Sequence, residues 1–357
     1  MKLNLFFFKI VFLLFLTIFN LLIQNLYIII NKNLLNRLNK KMKISKEMIN
    51  YYTILYDSAR TGYTKPRFDK SEKNFPIKKK NGICICSIGK NENLYIREFL
   101  DYHLSLGIKK IIIYDNNDID GENFENVIKD YIAKNLVELI DVRGLTSIQI
   151  PIYNYCYQNN KNLYDWIILL DLDEYIYIKN YKNINDYVYN RRFEKCELIF
   201  LNWRIYSDND LIKYDDRKLN IRFNYPKEFF NQGKSIVRGG IDNLLIPSTH
   251  IAGINIHYFC NSNGKMIYPT NFVGNEVEKH TKAYIKHFYT KTVEEFCIKI
   301  NKGNAHFNNK HPNYIKNIHY RIKHFFLWNK ITNYKIKFLE NCTGINLDIY
   351  RKKLIKS

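Results

Sequence analysis

Two aspartates, Asp171 and Asp173, follow the apolar run at 166–170 with one leucine between them. Side chains alternate along a strand, so a strand continuing through this segment would place both carboxylates on one side and Leu172 on the other. Mg²⁺ and Mn²⁺ prefer oxygen ligands, and one or two carboxylates often hold such an ion while phosphates and waters complete its shell. The segment LLDLDEYI therefore predicts a divalent metal site that offsets the charge of a bound phosphate.

Polar residues also follow two earlier apolar runs. The run at 83–88 is followed by Asn91 and Glu92, and the run at 110–115 ends in Asp115 and Asn116. Turn formation is an alternative for Asp115 and Asn116, and helix capping is one for Asn91. A basic chain with carboxylates at one rim of its sheet is expected to bind a cation there.

The elements that must position these residues follow from periodicity. Short β-rich runs occupy 83–88, 110–115, 136–142 and 166–171. Between the first two, Ile96, Leu100 and Leu104 recur at the spacing of an amphipathic helix. This order predicts an α/β fold with a mostly parallel, doubly wound sheet and flanking helices. Ligands of such sheets bind beyond the carboxyl ends of the strands.

The chain divides into four predicted segments. Residues 3–30 are dominated by Leu, Ile and Phe, so 1–30 are expected to form a membrane-spanning signal anchor. Residues 31–80 resemble a stem, 81–303 the catalytic domain and 304–357 a helical extension. The prediction is a single-pass membrane protein, of Golgi or ER type in a eukaryote. Its orientation stays open, because the basic cluster after the apolar run favours a cytosolic remainder.

The formal net charge of +21 indicates affinity for anions, but much of it lies within residues 32–80, where a solvated linker is the alternative explanation. Nucleic acid, a membrane surface and a phosphorylated small molecule all satisfy that charge. The seven cysteines lack the spacing of a zinc site or a compact disulfide framework. Cys84 and Cys86 are expected to pack as apolar residues in a strand, and an odd total leaves at least one thiol free or paired between molecules.

Several ordered motifs resemble glycosyltransferase family 92 and related family 2-like transferases. They are KNENLYIREFLDYHLSLGIKKIIIYDNN at 90–117, DWIILLDLDEYI at 165–176, LNWRIYS at 201–207, KSIVR at 234–238 and IKHFYTKTVEEFCIKINKG at 285–303. The resemblance covers about residues 83–303. It implies a GT-A fold, a nucleotide-sugar donor such as a UDP-hexose, and Mn²⁺ (or Mg²⁺). The implied acceptor is a hydroxyl of a glycan, lipid or protein, with no nucleic acid as partner.

The resemblance also implies roles for individual residues. The nucleotide-sugar pocket would comprise Asn91, Glu92, Asp115, Asn116 and Asp171, with Lys234, Arg238 and Lys291 on the diphosphate. The metal ligands would be Asp171, Asp173 and His287. The chain departs from the family pattern at 208–210, where relatives carry small residues and glycine. For an inverting reaction, Asp208 and Asp210 are the candidate catalytic bases, and His250 is a further candidate.

Three rival interpretations remain. A phosphatase of the haloacid dehalogenase type also places an Asp-x-Asp after an apolar strand, but it requires Thr or Val where this chain has Tyr175. A basic nucleic-acid-binding protein fits the charge and the aromatic content, yet leaves the acidic strand ends unexplained. A sugar-binding relative without catalytic activity fits the same motifs.

Overall fold

The computed structural model describes residues 81–242, 244–246, 248–250, 256, 258–267, 281–301 and 314–356. The segments predicted as signal anchor and stem lie outside these residues. Within the described ranges, no helix is both long enough and apolar enough to cross a membrane.

The first half of the sheet is parallel, as the element order predicts. Its elements are β1 (Ile83–Gly89), α1 (Ile96–Ser105), β2 (Lys110–Asp115), α2 (Glu125–Ala133), β3 (Val137–Asp141), α3 (Gln149–Asn160) and β4 (Trp166–Leu169). The strands lie in the order β3, β2, β1, β4, and every neighbouring pair is parallel. The first five residues of β1 are buried, which explains its continuous apolar run, because both faces of the sheet are covered.

Helix α1 packs against the sheet through one stripe, as its periodicity predicts. Its buried residues are Ile96, Phe99, Leu100 and His103. The His103 ring is held at both nitrogens: Nδ1 lies 2.9 Å from the Phe99 carbonyl oxygen, and the Ile176 backbone N–H donates to Nε2 at 3.4 Å. Burial lowers the pKa of His103 to about 3. The imidazole is therefore neutral, with its proton on Nδ1.

The second half of the sheet is mixed. Its elements are β5 (Glu174–Ile178), α4 (Ile184–Val188), β6 (Leu198–Tyr206), α5 (Leu219–Arg222), β7 (Pro226–Arg238), β8 (Phe259–Asn261) and β9 (Ala283–His287). The order continues from β4 through β7, β6 and β9 to β5, and β8 pairs with β6. Strand β7 is antiparallel to both β4 and β6, and β5 is antiparallel to β9. The prediction of a mostly parallel sheet is confirmed, since β6 also pairs in parallel with β8 and β9. The antiparallel pairs were not predicted, because periodicity identifies strands but not their partners.

The C-terminal part of the domain is helical. It contains α6 (Val293–Asn301), α7 (Tyr314–Trp328), α8 (Asn333–Thr343) and α9 (Asp348–Lys356). Phe296 and Ile300 of α6 share a buried apolar cluster with Phe325 of α7 and Ile336 of α8. Helix α8 begins at an N-cap, Thr332, whose side chain accepts from the Lys335 N–H, and ends at Gly344 with φ 70°.

Three disulfides join cysteines that are distant in the chain. They are Cys86–Cys156, Cys196–Cys260 and Cys297–Cys342, with sequence separations of 70, 64 and 45 residues. The expectation that Cys86 merely packs as an apolar residue is wrong, because α3 brings Cys156 against β1. Cys84 remains a free, buried thiol. Disulfides form and persist in oxidising compartments.

This pairing predicts the thiol content of the protein. Denatured without reductant, it should react with N-ethylmaleimide at one cysteine, and after reduction at all seven. Intact mass measurement counts the adducts. The Cys84→Ala variant should show none before reduction, and more than one adduct on the unreduced wild type would contradict the pairing.

The buried His103 predicts a loss of stability in mild acid. Its pKa of about 3 in the folded state lies below the ~6.5 of an unfolded histidine, so the unfolded chain binds more protons and stability falls as the pH drops below about 6.5. Between pH 7 and pH 5 this histidine should lower the free energy of unfolding by about 2 kcal/mol. Urea denaturation at pH 7 and at pH 5 measures the free energy of unfolding. The loss between the two pH values should be about 2 kcal/mol larger for wild type than for His103→Gln. An equal pH dependence in both would refute it.

Candidate active site at the end of the sheet

The Asp171-Leu172-Asp173 segment is a turn rather than a continuing strand. Strand β4 ends at Leu169 and β5 begins at Glu174, whose carboxylate accepts from the Asp171 N–H at 2.9 Å. The predicted alternation of the two aspartates along one strand is therefore corrected. A Cβ on Gly89 would lie 2.2 Å from Cδ1 of buried Leu172. Only glycine at the end of β1 allows the turn to pack this closely.

Asp171 is fixed by side chains from two elements. Gln149 Nε2 and the Tyr153 hydroxyl of α3 donate to its Oδ1 at 2.7 and 2.8 Å. Lys234 of β7 donates to Oδ2 at 2.8 Å. Asp171, predicted as both a metal and a nucleotide ligand, is thus bound by protein donors at both oxygens. Gln149 and Tyr153 lie outside the recognised motifs, so the sequence analysis did not identify them.

Asp173 lies between a lysine and a histidine. Its Oδ2 accepts from Lys299 of α6, which also donates to the Tyr289 carbonyl oxygen at 2.9 Å. Its Oδ1 lies 3.6 Å from His287 Nε2. Burial alone would raise the pKa of Asp173, but Lys299, His287 and Lys291 outweigh burial and hold it well below its usual range. Asp173 is therefore ionised. The sequence analysis did not identify Lys299, because nothing in the neighbouring sequence distinguishes it from a solvent-exposed lysine on a helix.

His287 ends β9 and pairs with Glu174 across the antiparallel ladder. Burial lowers its pKa, against the opposing effect of Asp173, so the imidazole is neutral at pH 7, the form that binds metals. Two donors 3.6 Å apart can share an ion at about 2.1 Å from each. Asp173 and His287 therefore fit a divalent metal. The described residues contain no cluster of three or more His, Cys, Asp or Glu suited to one, so further ligands must come from a substrate or water.

Two predicted diphosphate-binding lysines are engaged by protein groups. Lys234 is buried, donates to the Thr249 carbonyl oxygen at 3.0 Å as well as to Asp171, and lies 3.5 Å from Glu174. Lys291 donates to Glu92 at 3.1 Å and lies over the Tyr95 ring. Glu92, predicted in the nucleotide pocket, thus pairs with a predicted diphosphate ligand.

Arg238 lies apart from the other predicted site residues. It pairs with Trp166, the first residue of β4, four positions along β7 from Lys234 and hence about 13 Å away. Its guanidinium donates to the Cys196 and Phe193 carbonyl oxygens, both at 2.7 Å, and stacks on Trp166. This corrects the expectation that Lys234 and Arg238 act on one diphosphate: Arg238 anchors the amino-terminal end of the sheet.

The polar residues after β1 and β2 lie together, as predicted, and they order the loops there. Asp115 lies opposite Gly89 and accepts from the Asn117 and Phe124 backbone N–H groups. Asn116 donates to the Leu145 carbonyl oxygen at 2.7 Å. The Asn91 N–H donates to the Asn117 side chain at 2.7 Å. Asn91 does not cap α1, whose N-cap is Tyr95.

The two candidate bases share one lysine. Lys335 of α8 lies 2.7 Å from both Asp208 and Asp210. The Asp208 side chain is 2% exposed and that of Asp210 is 63% exposed. Asn209 and Asp210 adopt positive φ, 50° and 57°, a conformation that favours glycine. Lys335 and the Asn329 side chain, which accepts from the Asp208 N–H, hold this loop.

The charges at the sheet end are balanced despite the basic chain. Lys234, Lys291 and Lys299 pair with Asp171, Glu92 and Asp173 respectively. Glu174 is a further acidic group; burial raises its pKa well above the usual range, against the opposing effect of Lys234. Among the residues that the structure describes, these side chains therefore offer an incoming phosphate no excess of positive charge.

Removing Lys234 should show how much its ion pairs contribute to the stability of the folded protein. Lys234→Met leaves Asp171 and Glu174 without their cation, and we expect a loss of about 3–5 kcal/mol in the free energy of unfolding. Adding Asp171→Asn should recover part of that loss. Lys90→Met, which breaks an exposed pair with Asp118, should cost below about 1 kcal/mol. Denaturant titration measures all three, and similar values for the two lysine variants would contradict the assignment.

Comparison with known proteins bears on the identity of this site. The sequence matches "Glycosyltransferase family 92" over residues 79–326, a range that extends past the predicted domain end at 303 into α7. A family 92 protein of Ricinus communis is 26% identical over 113 residues, covering 32% of this chain and 20% of its own length. One of Arabidopsis thaliana is 25% identical over 158 residues, covering 41% and 27%. The matches thus span about a fifth to a quarter of these plant proteins.

Solved structures show weaker likenesses. S. aureus TarS 1-349 in complex with UDP-GlcNAc has a TM-score of 0.36 and 10% identity over 74% of this chain and 80% of its own. The mannosyltransferase PcManGT from Pyrobaculum calidifontis, in complex with GDP-Man and Mn²⁺, has a TM-score of 0.27 and 10% identity over 43% and 44%. These TM-scores are too low to carry an argument, whereas the family match covers most of the described domain. The chain belongs to glycosyltransferase family 92.

Proposed function

We propose that this protein is a metal-dependent glycosyltransferase with a GT-A type catalytic domain. It transfers a hexose from a nucleotide sugar, with a UDP-sugar as the expected donor, to a hydroxyl of a glycan, lipid or protein. The observation that carries this proposal is the approach of Asp173 Oδ1 to His287 Nε2, at 3.6 Å, inside the part of the chain that matches the family. Asp173 supplies an oxygen donor and His287 a nitrogen donor, and both lie at the end of the sheet where α/β folds bind their ligands.

Asp173 and His287 would hold the ion, Mn²⁺ or Mg²⁺, with the donor diphosphate and water completing its shell. When bound, the ion supplies Lewis-acid neutralisation of the negative charge on the leaving diphosphate. The charge balance of the site supports this role. Because each lysine there already pairs with a carboxylate, the protein alone has little positive charge left for a diphosphate. The same balance disfavours a nucleic-acid-binding surface at this end of the sheet.

The protein side chains contribute orientation. Lys299 binds Oδ2 of Asp173 and leaves Oδ1 directed toward His287. Gln149, Tyr153 and Lys234 hold the Asp171 carboxylate still, so that the remaining lone pair on Oδ2 accepts from a ribose hydroxyl of the donor without reorganisation.

Of the two predicted bases, Asp208 is buried against Lys335. Asp210 keeps an exposed carboxylate and is our candidate for accepting the proton of the acceptor hydroxyl. Lys335 lowers the pKa of Asp210, so its carboxylate is ionised at neutral pH.

We place the catalytic domain in an oxidising compartment. Three disulfides hold β1, β8 and α6 to distant segments, and reducing conditions would open them. A single-pass anchor within residues 1–30 remains part of the proposal. Its lumenal or extracellular orientation goes against the basic cluster that follows the apolar run.

Donor hydrolysis tests this function without knowledge of the acceptor. Wild type, incubated with Mn²⁺ and a panel of UDP- and GDP-hexoses, should release nucleoside diphosphate from at least one donor, and EDTA should abolish the release. Asp173→Asn and His287→Gln should each lower the rate by at least about 100-fold, since each removes one of two protein ligands.

The matched control is Asp130→Asn, which removes an exposed carboxylate of α2 paired with Arg97. It should retain the wild-type rate. Equal turnover by wild type and Asp173→Asn would remove the metal assignment, and no turnover of any donor by wild type would argue for an inactive sugar-binding relative.

A further inference from the structure

Three deeply buried polar atoms on strands β5, β6 and β9 have no hydrogen-bond partner among the residues that the structure describes. They are Trp203 Nε1, His287 Nδ1 and Glu174 Oε1. Their residues are only 7%, 5% and 0% exposed. Most buried polar atoms in proteins are paired, and an unpaired one calls for an explanation such as a bound ligand.

The three side chains lie on one face of three neighbouring strands. Glu174 of β5 is directly opposite His287 of β9. Ile205 of β6 is the other neighbour of His287, and Trp203, two residues earlier, shares that face. The Trp203 and His287 ring centroids are 4.4 Å apart. The register therefore gathers the three atoms around His287.

The hydrogen-bonding character of this cluster selects its ligand. The indole N–H only donates, and His287 Nδ1 also donates when an ion occupies Nε2. A carboxyl oxygen accepts, and in its protonated form it also donates. A hydroxyl both donates and accepts, and a sugar ring carries several hydroxyls at different positions. The cluster is thus complementary to a saccharide.

We propose that Trp203, His287 and Glu174 form a subsite for the hydroxyls of the transferred sugar of the donor. This inference rests on the proposed transferase function and adds sugar recognition to it. His287 joins the two parts of the site, because its Nε2 lies 3.6 Å from Asp173 Oδ1 while its Nδ1 has no partner among the described residues. A sugar attached to a diphosphate at Asp173 and His287 lies next to these atoms.

Aromatic rings form one wall of the subsite. The Trp203 ring is parallel to Phe230, with centroids 6.4 Å apart, and His250 meets it edge-on at 4.9 Å. These rings fix the Trp203 side chain, so its N–H is oriented before the sugar arrives. Pre-orientation lowers the entropic cost of binding.

The experiment compares donors with their sugar-free nucleotides. Calorimetry with Mn²⁺ measures the dissociation constants of UDP, UDP-glucose, UDP-galactose and UDP-N-acetylglucosamine, and of GDP and GDP-mannose. For the donor that wild type prefers, Trp203→Phe and Glu174→Gln should each weaken binding about tenfold, while binding of the matching nucleotide is unchanged. Trp166→Phe makes the same chemical change at the far end of β4 and should alter neither constant.

The outcomes separate this inference from the proposed function. If wild type binds neither UDP nor GDP, the proposed function and the subsite both fail. If nucleotide binds but Trp203→Phe changes the donor and the nucleotide equally, or changes neither, only the subsite is overturned. The same titration with free glucose, galactose and N-acetylglucosamine tests whether the cluster binds the acceptor sugar instead of the donor sugar. A loss confined to these free sugars would move the cluster to the acceptor and overturn the donor assignment.

Discussion

The arrangement of the sheet end depends on the ionised carboxylate of Asp173, buried between Lys299 and His287. A buried charge is tolerated only with partners, and these two come from different elements, α6 and β9. Their positions follow from the register of β9 against β5 and from the packing of α6 on the C-terminal helices. The Cys297–Cys342 disulfide ties α6 to α8. The helices after the sheet are therefore part of what holds the site: α6 lies within the motif at 285–303, whereas the later helices lie outside the motifs.

The balance of charge at this site shows how a strongly basic chain forms a site that is not basic. The net charge of +21 suggests that cations would line a phosphate pocket. The lysines that reach the sheet end are instead matched by Asp171, Asp173 and Glu92. Such pairing keeps each carboxylate oriented in a water-poor setting. Under the proposed function, such a site would bind a diphosphate only together with a cation.

The loop at 208–210 has an unfavourable backbone conformation that is stabilised by residues far along the chain. Its two consecutive positive φ angles would suit glycine, but the chain has Asn209 and Asp210 there. Lys335 and Asn329, more than a hundred residues later, bind both ends of this strained turn. Strain of this sort persists only when its surroundings determine it.

The sequence by itself determined the parallel half of the sheet, helix α1, the Asp-Leu-Asp segment and the family, because these depend on local periodicity and on motifs of neighbouring residues. The tertiary structure decided everything that depends on which strands pair. It placed Arg238 at the wrong end of β4 for the site, joined Cys86 to Cys156, and brought Gln149, Tyr153 and Lys299 to the aspartates. The physical reason is that strand register and helix docking are set by the summed packing of the whole core. No short segment of sequence contains that information, so the partners of a residue cannot be read from its neighbours in the chain.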